Sequence, residues 1–217
     1  MFKDLLNVFH RGGLLKLALE DTFKMMELSR EIFTKSVKFF SEKGDVKKIY
    51  DMDRQINELQ IVVRRRVLEH LAINPSIDVT ASLILITIVI DIERIGDYAK
   101  NIIEMADMYP HKLTNKLFDY IWKEEKTITA LFPRTIKAFK AANADDAVEI
   151  MKKLTTVSKN MDGFILELVN IPDITLKDGI IAALLGRYIK RVAAHMKNIV
   201  SSVVNPFDRI GYKPQTA

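Results

Sequence analysis

Apolar residues recur along this chain every three to four positions over long stretches, the spacing that lines one face of an α-helix. Leu14, Leu17, Ala18, Phe23, Met26, Leu28, Ile32, Val37 and Phe40 form a first broad stripe. Ile49, Met52, Ile56, Leu59, Val63, Val67 and Leu71 form a second. Polar, Gly- or Pro-bearing breaks separate such segments: SEKGD (41–45), INPSID (73–78), MYPHKLT (108–114), AANADD (141–146) and NIPDIT (170–175). The pattern predicts six long helices, near 13–43, 45–73, 75–108, 114–142, 145–170 and 175–204. Asp45, Thr114 and Asp145 are the expected N-caps, and Asn74 before Pro75 suits a cap followed by proline at the first helical position. Connections this short force neighbouring helices to run antiparallel.

The breaks repeat. When Pro75 is laid on Pro172, the segment DIERIGDYAKNI (91–102) falls on YIKRVAAHMKNI (188–199). Ile92 then meets Ile189, Arg94 meets Arg191, Lys100 meets Lys197 and Asn101 meets Asn198. Such a fixed-offset match indicates internal duplication, held securely by the third and sixth helices and lost in the earlier ones. The expected fold class is all-α: two tandem antiparallel three-helix bundles, a pseudo-twofold repeat covering 1–110 and 111–217.

Composition agrees and narrows the chemistry. Gly and Pro are scarce among the 217 residues, which disfavours a sheet built on tight turns. The absence of cysteine excludes disulfides, thiolate metal sites and cysteine nucleophiles. The longest uncharged apolar run, 79–90, falls well short of the roughly 20 residues a bilayer span needs. The opening MFKDLLNVFHRGG is broken by Lys3, Asp4 and His10 and lacks the apolar core of a signal peptide, so a cytoplasmic location is expected. The first 112 residues are charge-balanced, and the whole net charge of +5 lies in the remainder. That excess is most simply a solvated basic face. Arg64, Arg65 and Arg66 point in three directions around a helix, so no nucleic-acid partner is expected from them. Histidine 195 reads as a packed histidine, and Trp122 as a core or interface residue.

One segment concentrates candidate chemistry. Immediately after the apolar run, DIERIGDYAKNIIEMAD (91–107) carries Asp91, Glu93, Asp97, Glu104 and Asp107. On a helix, Glu93, Asp97, Asn101 and Glu104 fall at about 0°, 40°, 80° and 20°, one narrow stripe over three turns. Like charges four apart repel by a few tenths of a kcal/mol, which Lys100, three after Asp97, can offset. An ordinary solvated acidic face accounts for this spacing. The alternative is a metal site, since carboxylates four apart project in one direction and a second helix can complete an oxygen-rich cage. The second helix offers Asp51, Asp53, Asn57 and Glu58. A di-iron carboxylate enzyme is disfavoured because none of His10, His70, His111 and His195 has Glu three residues before it. Signatures of serine hydrolases, phosphate-binding loops and dinucleotide folds are missing.

The run Glu93-Arg-Ile-Gly-Asp97-Tyr-Ala-Lys-Asn101-Ile-Ile-Glu104 resembles the PhoU family signature, close to ERIGDHAxNIAE, and departs from it only at Tyr98 and Ile103. The resemblance implies a non-enzymatic cytoplasmic regulator that docks at the inner face of the membrane on a phosphate transporter or its sensor kinase, without spanning the membrane. A homodimer is compatible with it. The resemblance also implies an iron or zinc site built from paired acidic motifs. Carried over residue by residue, Glu93 and Asp97 match one motif and Asp53 the first position of its partner. Asn57 stands where a second carboxylate is expected, and Asn101 is a lesser candidate. In the second repeat Lys190 and Ala194 replace Glu93 and Asp97, so any metal is expected in the first repeat only. An accessory of a sodium-phosphate symporter or cation channel, and a metal-free helical adaptor, are the rival readings.

Overall fold

The structure, a computed structural model, describes residues 13–42, 44–109 and 116–214. Six α-helices account for most of them: α1 (Leu14–Lys38), α2 (Val46–Ile73), α3 (Val79–Met108), α4 (Leu117–Ala141), α5 (Ala144–Leu168) and α6 (Leu176–Ser201). A single 3-10 turn, Phe207–Arg209, follows. There is no strand among the described residues, and the expected all-α architecture is what the chain adopts.

Local chemistry explains most boundaries and corrects three expectations. Asp45 caps α2 as predicted, its carboxylate accepting from the Lys48 amide at 3.3 Å. Asn74 and Pro75, by contrast, do not start α3. Asn74 closes α2 by donating its amide to the His70 carbonyl, and its own carbonyl accepts from the Ile77 amide. Pro75 therefore sits second in a tight turn, a position its fixed φ also suits. Helix α3 begins four residues later, after Asp78 at a left-handed φ of 57°. Asp145 is likewise not a cap: Asn143 accepts from the Asp146 amide at 3.1 Å, and Asp145 and Asp146 occupy the positive first turn of α5. The cap expected at Thr114 lies outside the described residues, as does the boundary at 110/111. Thr175 caps α6 by accepting from Asp178 at 3.0 Å.

Helices α1 to α3 pack on one another as one three-helix bundle, and α4 to α6 as a second. Two antiparallel helix pairs join the bundles. In the first, α1 faces α4 through aromatic contacts: Phe23 with Phe139 and Phe33 with Phe132, both at 5.8 Å between ring centroids, and just beyond α1, Phe40 with Trp122 at 5.6 Å. As numbers rise on α1 they fall on α4. In the second, α3 faces α6, where Asp91 meets Asn198 and Tyr98 meets Arg191. Tyr98 and His195, equivalent positions in the repeat, stack on each other with centroids 5.7 Å apart. The internal duplication seen in sequence thus becomes a twofold-like meeting of like helices. Segment 202–214 folds back on this interface: Phe207 and Ile210 pack on the core, and Asn205 donates to the carbonyls of Arg209 and Tyr212, each at 2.9 Å.

Candidate functional site

The acidic segment of α3 divides among three surroundings. Asp91 is buried against α6, Glu93 and Asp97 lean toward α2, and Glu104 accepts from the Tyr50 hydroxyl at 2.7 Å on the outside. Asp107 is exposed. Helical spacing correctly put Glu93 and Asp97 on one face. Where that face lands was decided by α2, whose apolar stripe presses Ile56 against α3 beside Gly96. A Cβ added at Gly96 would stand 3.3 Å from the Ile56 Cδ1 and 3.5 Å from the Asp53 Oδ1. Glycine here lets a buried carboxylate of α2 reach the surface of α3.

Asp53 is only 6% exposed. Its Oδ2 accepts from the Lys100 ammonium at 3.0 Å and from the Asn57 amide nitrogen at 3.4 Å. Its Oδ1 is buried without a hydrogen-bond partner. The same Lys100 ammonium reaches Asp97 Oδ1 at 3.3 Å, and Arg94 Nη1 holds the other oxygen of Asp97 at 3.0 Å. Arg94 Nε lies 3.7 Å from Glu93. Burial, reinforced by the negative charge of Asp97, pushes the Glu93 carboxyl above its ordinary value. Burial by itself would lower the Lys100 ammonium. The hydrogen bond and charge of Asp53, then those of Asp97, outweigh it and hold the ammonium above its ordinary value.

The structure therefore brings Asp53, Asp97 and Asn57 together at one place, with Glu93 in electrostatic reach and Asn101 partly buried one turn beyond Asp97. As arranged, these residues do not fit a bound metal. Among the described residues no three carboxylates or histidines converge on a point that would hold one. The space between Asp53 and Asp97 is taken by an ammonium, and Asn57 turns its donor nitrogen, not its carbonyl, toward Asp53. In the second bundle Lys190, at the position equivalent to Glu93, pairs with Asp162 of α5.

Sequence reasoning missed a second polar cluster, buried between the bundles. Asp91 Oδ1 lies 2.7 Å from His195 Nδ1 and accepts from Asn198 Nδ2 at 2.9 Å. Arg191 donates to the Tyr98 hydroxyl at 3.0 Å and reaches His195 Nε2 at 3.2 Å. The signal available was the repeat itself, which aligns Tyr98 with His195 and Asp91 with Tyr188. Also unforeseen is Glu124, buried on α4 and held by the Asn160 amide at 2.9 Å. A groove of about 880 Å³ runs between the ends of α1 and α4, past Phe40, Trp122 and Glu125.

Residues 22–106 match the family model of the PhoU domain. Comparison with curated proteins gives no match. Among solved structures, the chain is similar to PhoU from Pseudomonas aeruginosa, with a TM-score of 0.80 and 20% identity over 88% of this chain and 95% of that one. It is also similar to the phosphate transport system regulatory protein PhoU from Streptococcus pneumoniae, with a TM-score of 0.76 and 18% identity over 87% of this chain and 92% of that one. No described helix is long and apolar enough to cross a membrane. The matched residues take in α2, most of α1 and α3, and the whole ERIGDYAKN motif, so the first bundle is similar to a PhoU domain and the chain as a whole has a fold similar to both structures.

Proposed function

We propose that this chain is a non-enzymatic regulator of phosphate transport, acting from the cytoplasm on a membrane phosphate transporter or its sensor kinase. The observation that carries the reading is the coincidence of the PhoU-domain match with the motif helix α3, on a fold that also spans most of the length of two PhoU proteins. The polar chemistry of the chain supports a regulatory role over a catalytic one. Asp91, Asp97 and Asp53 each hold donors from the chain itself, an arrangement that fixes helices against one another and presents no nucleophile with its base. The inter-bundle cluster of Asp91, His195, Arg191 and Tyr98 ties the two bundles together through hydrogen bonds across their interface.

Deleting the gene in its own organism and measuring phosphate uptake, with re-expression of the full chain as control, tests this. Uptake that changes under phosphate-replete or phosphate-limited growth, and returns on re-expression, is expected. Uptake unchanged in both conditions overturns the proposal.

A further inference from the structure

The carboxylates of the motif helix need a cation, and the chain supplies one. Asp53 is nearly fully buried, and a buried carboxylate is held only where a positive charge and hydrogen bonds replace water. Lys100 rises from α3 one turn after Asp97 and places its ammonium within 3.0 Å of Asp53 and 3.3 Å of Asp97. It therefore stands between the two helices where a bridging ion would have to stand. Arg94 takes the remaining oxygen of Asp97, so each oxygen of that carboxylate already faces a cationic donor from the chain. Asn57 removes one negative charge from the site and donates to Asp53. The unpartnered Asp53 oxygen is buried against α3 at Gly96.

The second bundle carries an ion pair in a similar place, nearer the surface. Lys190 of α6 spans to Asp162 of α5, again an ammonium on the third helix meeting a carboxylate on the second. Asp162 is 52% exposed, so this second contact is a surface ion pair and, unlike Asp53, its carboxylate keeps its access to water.

We propose that Lys100 is a tethered cation that stands in for metal, so that the fold of the first bundle is independent of bound metal ions. A divalent cation entering the first site must displace an ammonium already paired with both carboxylates. Removing that ammonium leaves the buried Asp53 carboxylate uncompensated beside Asp97, and an added divalent cation can then compete for the vacated position. The inference goes beyond the regulatory reading and does not rest on it, because metal content and melting temperature are read without any docking partner.

The test uses the full chain purified without chelators. For the wild type, elemental analysis is expected to find iron, zinc and manganese well below one per chain, and the melting temperature is expected to stay the same with EDTA or with added Mn²⁺ or Zn²⁺. Lys100→Met is expected to melt lower than wild type and to regain stability as Mn²⁺ is titrated in. Asp53→Asn/Lys100→Met, which removes both charges, is expected to fold and not respond. Should Lys100→Met fail to fold, recovery of folding in the double variant carries the same information about the pairing. Stoichiometric metal in the wild type, with a melting temperature that falls on EDTA, overturns the proposal. So does a folded Lys100→Met chain that is as stable as wild type and indifferent to Mn²⁺.

Discussion

Asp91 and His195 hold each other across the middle of the molecule, the carboxylate of α3 lying 2.7 Å from the imidazole Nδ1 of α6, with both side chains buried. Arg191 can only donate, so its approach to Nε2 makes that nitrogen the acceptor and puts the proton on Nδ1, facing Asp91. The pair belongs to opposite halves of the duplication, on like helices. Asp91→Ala strands the His195 and Asn198 donors in a buried setting and is expected to destabilise the chain by on the order of 1–3 kcal/mol. Asp91→Asn, which keeps an acceptor, should lose less. Urea unfolding measures both, and an Asp91→Ala loss no greater than that of Asp107→Ala at the exposed end of α3 would contradict the coupling.

Phe33 is fully buried and packs on Phe132 of the other bundle. Phe33→Ala is expected to lower stability by about 3–5 kcal/mol, the usual loss for a buried aromatic. A double-mutant cycle with Phe132→Leu should return a coupling of about 0.5–1.5 kcal/mol. A cycle with zero coupling would show that the aromatic row does not bind the bundles together.

At Gly96, where α2 crosses α3, an added Cβ would stand 3.3 Å from the tip of Ile56, a tight fit that leaves no room for a longer side chain. Gly96→Leu forces the Ile56 side chain and the Asp53 carboxylate away and is expected to destabilise by about 1–3 kcal/mol, as overpacking generally does. Gly96→Ala gains helix propensity of about 1 kcal/mol against milder crowding and should stay nearer to wild type. Thermal melts of the two variants decide this, and a Leu variant as stable as wild type would refute it.

Burial in the groove between α1 and α4 pushes the Glu125 carboxyl above its ordinary value, although the Thr129 hydroxyl donates to it at 2.6 Å. Since the folded value exceeds the unfolded one, the ionised form is penalised in the folded chain at neutral pH. The penalty fades as pH falls through the folded value toward the unfolded one, where both states bind the proton. Glu125→Gln should therefore melt higher than wild type at neutral pH, with the gap closing toward acid. A gap that is absent or pH-independent would contradict the burial effect.

The motif shows where sequence reading stops. Periodicity placed Glu93 and Asp97 on one face of α3 because that depends only on the helix's own turn angle. It noted Lys100 merely as a neighbour of Asp97, because the carboxylate that Lys100 bridges to lies on another helix. Asp91 looked like one acid among five, and only the docking of α6 made it the buried acceptor of His195. The same division holds at α3's start: Pro75 suits a helix's first position and a turn's second equally, and the way α2 hands over to α3 selected the turn.

By itself the sequence determined six helices, their antiparallel order and their duplication, since these follow from apolar spacing, short connections and a fixed-offset match along one chain. It also determined the PhoU resemblance, carried by ERIGDYAKN. Tertiary structure alone decided which charges meet. An ammonium and a carboxylate 47 residues apart become partners, and so do an aspartate and a histidine 104 apart. Their attraction depends on distance through space, which helix packing sets and residue spacing does not.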